Sequence, residues 1–256
     1  MSRVGVLVGL AVVGAVVAAL LPPIPQDPGY HAFADRRTLA GVPNALNVLS
    51  NVVFLAVGVA GLVRLASRRA RDWDAAAAGI LFAGVAGTSV GSAWYHLAPD
   101  NTRLVWDRLP VTIVFMTFLA LVVADRVGAR AGRALLPPLL IAGVASVGYW
   151  ALIDDDLRAY GLVQFFPMLA IPFLMFTLPS ARARDGDVWW AIVCYGASKV
   201  TEHADGAIFT LGGIVSGHTL KHVLAGLGAA FIFRWIVRCP RRGERFSVTN
   251  AGSSSR

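Results

Sequence analysis

The sequence predicts an all-α fold, a polytopic membrane bundle of seven helices with one additional N-terminal transmembrane helix. Three observations predict it. The first is composition: of 256 residues, 56% are hydrophobic and only 15% charged, whereas soluble domains carry about 25% charged residues. The second is a set of eight apolar runs, near residues 4–21, 44–66, 74–96, 109–125, 134–153, 159–178, 187–208 and 214–237. Crossing ~30 Å of hydrocarbon at ~1.5 Å per residue takes about 20 residues, which most of these runs supply. The third is the placement of arginine in short clusters between the runs.

The first run, opened by Arg3, resembles a signal peptide. It is long for one, and no small-x-small cleavage site precedes Pro22-Pro23, so a retained span is expected. Pro22 to Pro43 then forms a polar external loop in which His31 is exposed. Residues 1–43 make an N-terminal unit, 44–238 the seven-span domain, and 239–256 a disordered cytoplasmic tail. Gly84, Gly87 and Gly91 let neighbouring helices approach closely. Pro137, Pro138, Pro167 and Pro172 fall near span starts or inside spans, where adjacent helices satisfy the freed backbone groups. Of the two cysteines, Cys194 lies in an apolar run and Cys239 among arginines. With no CxxC spacing, neither a disulfide framework nor a thiolate metal site is expected.

Orientation follows from the arginines. With the N-terminus inside, most of the 23 basic residues fall on the inner side, in the Arg64–Arg71, Arg126–Arg133, Arg182–Arg184 and Arg234–Arg256 groups. Both termini are therefore expected in the cytoplasm, with the protein multi-pass in the cell (inner) membrane. The formal charge of +8 is accounted for by these clusters, so no nucleic-acid partner is expected, and no protein partner is indicated.

Ionisable groups inside spans are costly and default to functional candidates. Ser92 and His96 end the third run, Asp107 opens the fourth, and His218 and His222 open the last. The topology drawn from arginines places all five at the outer ends of their helices, toward the external or periplasmic leaflet. His218 and His222 are four residues apart and share one helix face, as do Ser92 and His96. Each pair alone has an ordinary explanation: interfacial histidines, or a serine bonded to its own backbone. Asp107 alone suits a helix start. Together they suit a zinc ion held by His96, His218 and His222, with a fourth position open for catalysis. Asp107 can take a proton from water or orient it, and Ser92 can donate to an oxyanion.

Other polar residues rank below these. Lys199 and Glu202 are three apart and form an ion pair on one helix face, or Glu202 helps position the site or a substrate hydroxyl. Lys221, on another face from the histidines, snorkels to headgroups, and His203 is interfacial. Asp154–Asp156 is expected to be a solvated loop. Tyr95 and Trp106 are candidates for substrate contact or support of the site.

The set Ser92-x-x-x-His96, Asp107 and His218-x-x-x-His222 resembles the signature of the CREST superfamily of membrane hydrolases. NVLSNVVF at Asn47–Phe54 and GSAWYHLAPDNTRLVWDRLP at Gly91–Pro110 are most similar to its alkaline ceramidase branch. The resemblance covers about Asn44 to Val237. It implies a seven-helix bundle around an intramembrane pocket, zinc on the three histidines, and hydrolysis of the amide bond of a ceramide-like lipid reached laterally from the bilayer. The family's acidic calcium-binding segment corresponds here to YHAFADRRTLAGVPN, Tyr30–Asn44. There only Asp35 is acidic and Arg36 and Arg37 follow it, so a calcium site is doubtful. Richness in Ala, Val, Gly and Arg points to a GC-rich bacterial source. Many bacteria lack ceramide, so another N-acyl lipid, or an ester, is an alternative substrate. Two further readings stay open: a non-enzymatic receptor or lipid-binding protein with a structural zinc, and a transporter. The transporter is disfavoured because the ionisable groups gather at one end rather than lining a path across the midplane.

Overall fold

A computed structural model describes residues 3–68, 72–182 and 185–238. Cys239 and the 239–256 tail, with Arg69, Arg71 and Arg184 of the inner clusters, lie outside the described residues. Among those described the chain is all-helical, with a single isolated bridge between Leu39 and Val42 in place of any strand. The helices are α1 (Arg3–Leu20), α2 (Ala45–Leu49), α3 (Val52–Arg68), α4 (Trp73–Leu97), α5 (Asn101–Arg126), α6 (Ala129–Leu152), α7 (Arg158–Thr177), α8 (Asp185–His203), α9 (Asp205–Gly212) and α10 (Gly217–Arg238).

Among the described residues, six segments are long and apolar enough to cross a bilayer: α2 with α3, then α4, α5, α6, α7 and α10. The apolar stretch of α1, Gly5–Leu20, is shorter. Asp185, Asp187, Lys199 and Glu202 make α8 too polar for that class. Val90, Ile141, Leu169 and Phe176 are among many large apolar side chains left exposed on the outer faces of α4, α6 and α7. An apolar coat of this kind is stable against lipid and costly against water. Inside, Leu81, Phe82, Leu121, Leu174 and Trp235 are wholly buried in one core.

Two close approaches set the geometry of the site end of the bundle. Gly91 of α4 lies so near α5 that a Cβ there would run into the Trp106 carbonyl. Only a glycine lets the two backbones meet at this level. Gly217, at the start of α10, likewise abuts the Thr201 carbonyl and the Asp205 backbone.

The fourth predicted span starts earlier than its hydropathy indicates. Asp100 caps α5 by accepting from Arg103 N at 2.7 Å, so Asp107 stands nearly two turns inside the helix instead of at its start. The polar residues of the first two turns hid this part of the helix from a hydropathy reading, because amphipathic turns at a bundle end need not be apolar.

The loop between α1 and α2 departs most from expectation. It folds across the site end of the bundle. Ile24 N donates to Asp156 Oδ1 (3.2 Å), Gln26 N to Asp155 Oδ1 (3.1 Å) and Ala34 N to Asp205 Oδ2 (2.8 Å). The acidic run is therefore not merely a solvated loop: Asp156 is 2% exposed and pairs with Arg158 at 2.8 Å. His31 is half-buried rather than exposed, with Nδ1 2.9 Å from the Tyr95 hydroxyl and Nε2 3.0 Å from Asn101 Oδ1. Carboxylates satisfy backbone N–H groups that would otherwise be buried without partners, which is why an acidic run next to a proline-bearing loop becomes ordered.

At the opposite end, arginines of the inner clusters are tied into ion pairs. Arg126 meets Asp125 at 3.2 Å and Asp185 at 2.6 Å, Arg182 meets Asp74 at 3.0 Å, and Arg234 meets Asp187 at 3.1 Å.

Candidate metal centre

The last turn of α4 brings His96, and the first two turns of α10 bring His218 and His222, to one buried point. Their ring centroids form a nearly equilateral triangle, 4.8 Å between His96 and His218 and 4.9 Å on the other two sides. Nε2 of His96 and Nε2 of His218 are 3.3 Å apart. Two nitrogens bound tetrahedrally at roughly 2.0–2.1 Å stand about 3.4 Å apart, so this spacing is that of two ligands of one ion. One nitrogen of each ring lies within 4.8 Å of the others. Three imidazoles converging on one buried point form a donor set that could hold a metal ion.

The surroundings orient the rings. Ser50 donates its hydroxyl to the Asn47 carbonyl (3.1 Å) and stands 2.7 Å from His222 Nδ1. A metal on His222 Nε2 requires the ring proton on Nδ1, and Ser50 Oγ is placed to accept it. Asn44 donates to the His96 carbonyl at 2.9 Å. Asp205 Oδ1 accepts from His218 N at 2.7 Å, and Thr219 donates to Asn47 at 2.8 Å. Phe33, from the folded-over loop, packs its ring on His96 and His218 at centroid distances of 4.6 and 4.5 Å. Sequence reading missed Ser50, Asn47 and Phe33 as parts of the site. Ser50 and Asn47 lie in the NVLSN word and could have been found there; Phe33 carries no signal short of the loop's tertiary path.

Comparison with family models, with curated proteins and with solved structures gives no match. What the site can do is therefore read from its residues.

A cavity of about 470 Å³ opens beside the triad. Ser92, Asp107 and His222 line its polar end, and Phe118, Ile171 and Ile232 its apolar depth. Ser92 and Asp107 come from facing turns of α4 and α5, where Gly91 abuts the Trp106–Asp107 backbone, and both line the cavity. All five principal candidates thus meet at one end of the bundle. Lys199 and Glu202 form the expected pair at 2.8 Å and also line the cavity.

Lys221 does not snorkel outward. Its ammonium reaches Glu202 Oε1 at 2.5 Å, and Tyr30 donates its hydroxyl to the same oxygen at 3.4 Å. The pair spans α8 and α10, so no helical spacing could reveal it. Burial of a lysine between two helices is tolerated because a carboxylate is there to meet it.

Tyr95 is 1% exposed and stacks near His96, supporting the site rather than lining the cavity. Trp106 is 58% exposed, with its side chain turned away from the cavity. His203 is exposed.

Proposed function

We propose that this chain is an integral-membrane, zinc-dependent hydrolase that cleaves the amide bond of a ceramide-like N-acyl lipid, releasing a fatty acid and an amine lipid base. The observation that carries this reading is the meeting of a three-imidazole cluster with Ser92 and Asp107 at the polar end of an apolar cavity. In this reading α1 and α8 also cross the bilayer, giving seven ceramidase-like spans and one N-terminal span. The termini face the cytoplasm and the site faces the external leaflet of the cell membrane.

His96, His218 and His222 would hold the zinc, which supplies a Lewis acid able to make water nucleophilic near neutral pH. The acyl chain lies along the apolar wall of the cavity, placing the amide carbonyl at its polar end. Asp107 accepts a proton from the attacking water, whose oxygen adds to the acyl carbon. The Ser92 hydroxyl donates to the carbonyl oxygen as it gains charge. The C–N bond then breaks, and the proton held on Asp107 passes to the departing nitrogen. Loss of a proton from water and gain of one by the amine balance.

A second reading has its own observation. Phe33 covers two of the histidines, and of the three only His222 lines the cavity. A metal there could act as a clamp between α4 and α10 in a lipid-binding protein without catalysis. Asp107→Asn separates the two. On purified protein with zinc counted, the hydrolase keeps its zinc and loses release of fatty acid from N-acyl lipids by at least about 100-fold. If the variant loses only thermal stability while wild type releases no fatty acid from any N-acyl lipid, the clamp reading stands instead.

A further inference from the structure

Arg108 is 4% exposed, yet no carboxylate lies within ion-pair distance of it among the described residues. The comparably buried Arg126 and Arg182, at the opposite end, each have two. The Arg108 guanidinium instead sits in a box of aromatic faces, 4.2 Å from the Trp150 ring centre, 4.7 Å from Tyr160 and 5.7 Å from Tyr30. Its Nη2 donates to Gln26 Oε1 at 2.6 Å, and its Nη1 has no partner. Ring faces and an amide oxygen soften the cost of burying a guanidinium but do not neutralise its charge.

The residue also lines the cavity, next in sequence to Asp107. Tyr30 lies between the Arg108 box and the Glu202 pair, and Glu202 is shared by two ammonium groups, Lys199 and Lys221. The cavity wall therefore holds three cations, Arg108, Lys199 and Lys221, against two carboxylates, Asp107 and Glu202. One positive charge is left over, and it belongs to a group that is already dehydrated. A carboxylate or phosphate entering the cavity would complete it, and a guanidinium fork is the donor best matched to either.

We infer that the polar end of the cavity binds an anionic group on the amine side of the substrate, with Arg108 as its primary contact and Lys221 as the second cation. The substrate is then an acidic N-acyl lipid rather than a neutral ceramide. This deepens the amidase reading and rests on it for the word substrate, but the binding itself does not need turnover.

The test measures binding to the full-length, zinc-loaded protein in detergent by calorimetry. The probes are N-palmitoylglycine, its methyl ester, O-phospho-N-palmitoylethanolamine, its uncharged parent N-palmitoylethanolamine, and a ceramide of the same chain length. The acids should bind at least tenfold tighter than their neutral counterparts, and Arg108→Gln should bring them down to the level of the neutral lipids while zinc is retained. A preference confined to the carboxylate or to the phosphate identifies which anion the site takes. Equal affinity of acid and neutral lipid for the wild type overturns the inference, whatever Arg108→Gln does. A preference that survives in folded, zinc-bearing Arg108→Gln overturns the role of Arg108. Should Arg108→Gln fail to fold, Lys221→Met takes its place and should reduce the preference by several-fold. If ceramide is hydrolysed readily and the acids are not preferred, the inference fails and the hydrolase stands. If acids are preferred but no lipid is cleaved, the hydrolase fails and the anion site stands.

Discussion

Ser50 Oγ lies 2.7 Å from His222 Nδ1 and 3.1 Å from the Asn47 carbonyl oxygen. When Ser50 donates to Asn47, its oxygen can accept from Nδ1–H, the tautomer that presents Nε2 to a metal. Partners of this kind are worth roughly 10- to 100-fold in metal affinity. Ser50→Ala should lower zinc affinity by that much in competition with a chromophoric chelator. An unchanged affinity would mean that the ring is held by packing alone.

Each of the three histidines should be needed for the metal. His96→Ala leaves two nitrogens on one helix and should reduce bound zinc, measured by atomic absorption, to a small fraction of one equivalent. Full occupancy in that variant would move the site elsewhere.

Metal removal should also loosen the bundle, because an ion that binds only the folded state adds stability in proportion to its affinity. Stripping wild-type protein with a chelator is expected to lower the melting temperature in detergent, and zinc should restore it. His218→Ala should be insensitive to both treatments. A melting temperature indifferent to zinc in the wild type would rule out a clamp between α4 and α10.

Gly91 should not tolerate a side chain. A methyl group at this position meets the Trp106 carbonyl, so Gly91→Ala has to push α4 from α5 and is expected to cost ~1–3 kcal/mol. Because the same contact sets Ser92 opposite Asp107, activity should fall further than stability alone accounts for. Thermal unfolding and fatty-acid release, measured on the same preparation, check both statements.

The loop that covers the site should be acid-sensitive. Hydrogen bonds from Arg37 hold the Asp35 carboxyl below the ordinary range, and Arg37 also donates to the Gly213 and Ile214 carbonyls. A carboxylate with a depressed folded-state pKa stabilises fully above its unfolded value, ~3.9. That contribution fades as pH falls through the lower folded-state value. Limited proteolysis between residues 22 and 43 should therefore accelerate below about pH 4, and Asp35→Asn should be fast at every pH. Equal rates for wild type and variant at neutral pH would show that the pair does not hold the loop.

Much of this was legible in the linear chain. All eight apolar runs are helical, although the second is broken between α2 and α3 and the seventh between α8 and α9, and the residue types His96, His218, His222, Ser92 and Asp107 announced a site because polar groups in apolar runs are rarely idle. Hydropathy failed at the start of α5, whose polar turns hid the depth of Asp107; in α8 four charges leave the helix outside the set apolar enough to cross a membrane by composition alone.

The sequence by itself determined a set of helices, six of them long and apolar enough to cross a membrane, and a cluster of ligand-type residues, because the 3.6-residue period and the cost of polar groups in hydrocarbon act locally along the chain. Only the tertiary structure decided that Phe33 covers the histidines, that Lys221 meets Glu202, that Ser50 orients His222, and that Arg108 is buried among aromatic rings without a carboxylate. Those pairings join residues far apart in sequence, and which helix faces meet is set by close packing across the whole bundle, as at Gly91 and Gly217, rather than by any spacing within one helix.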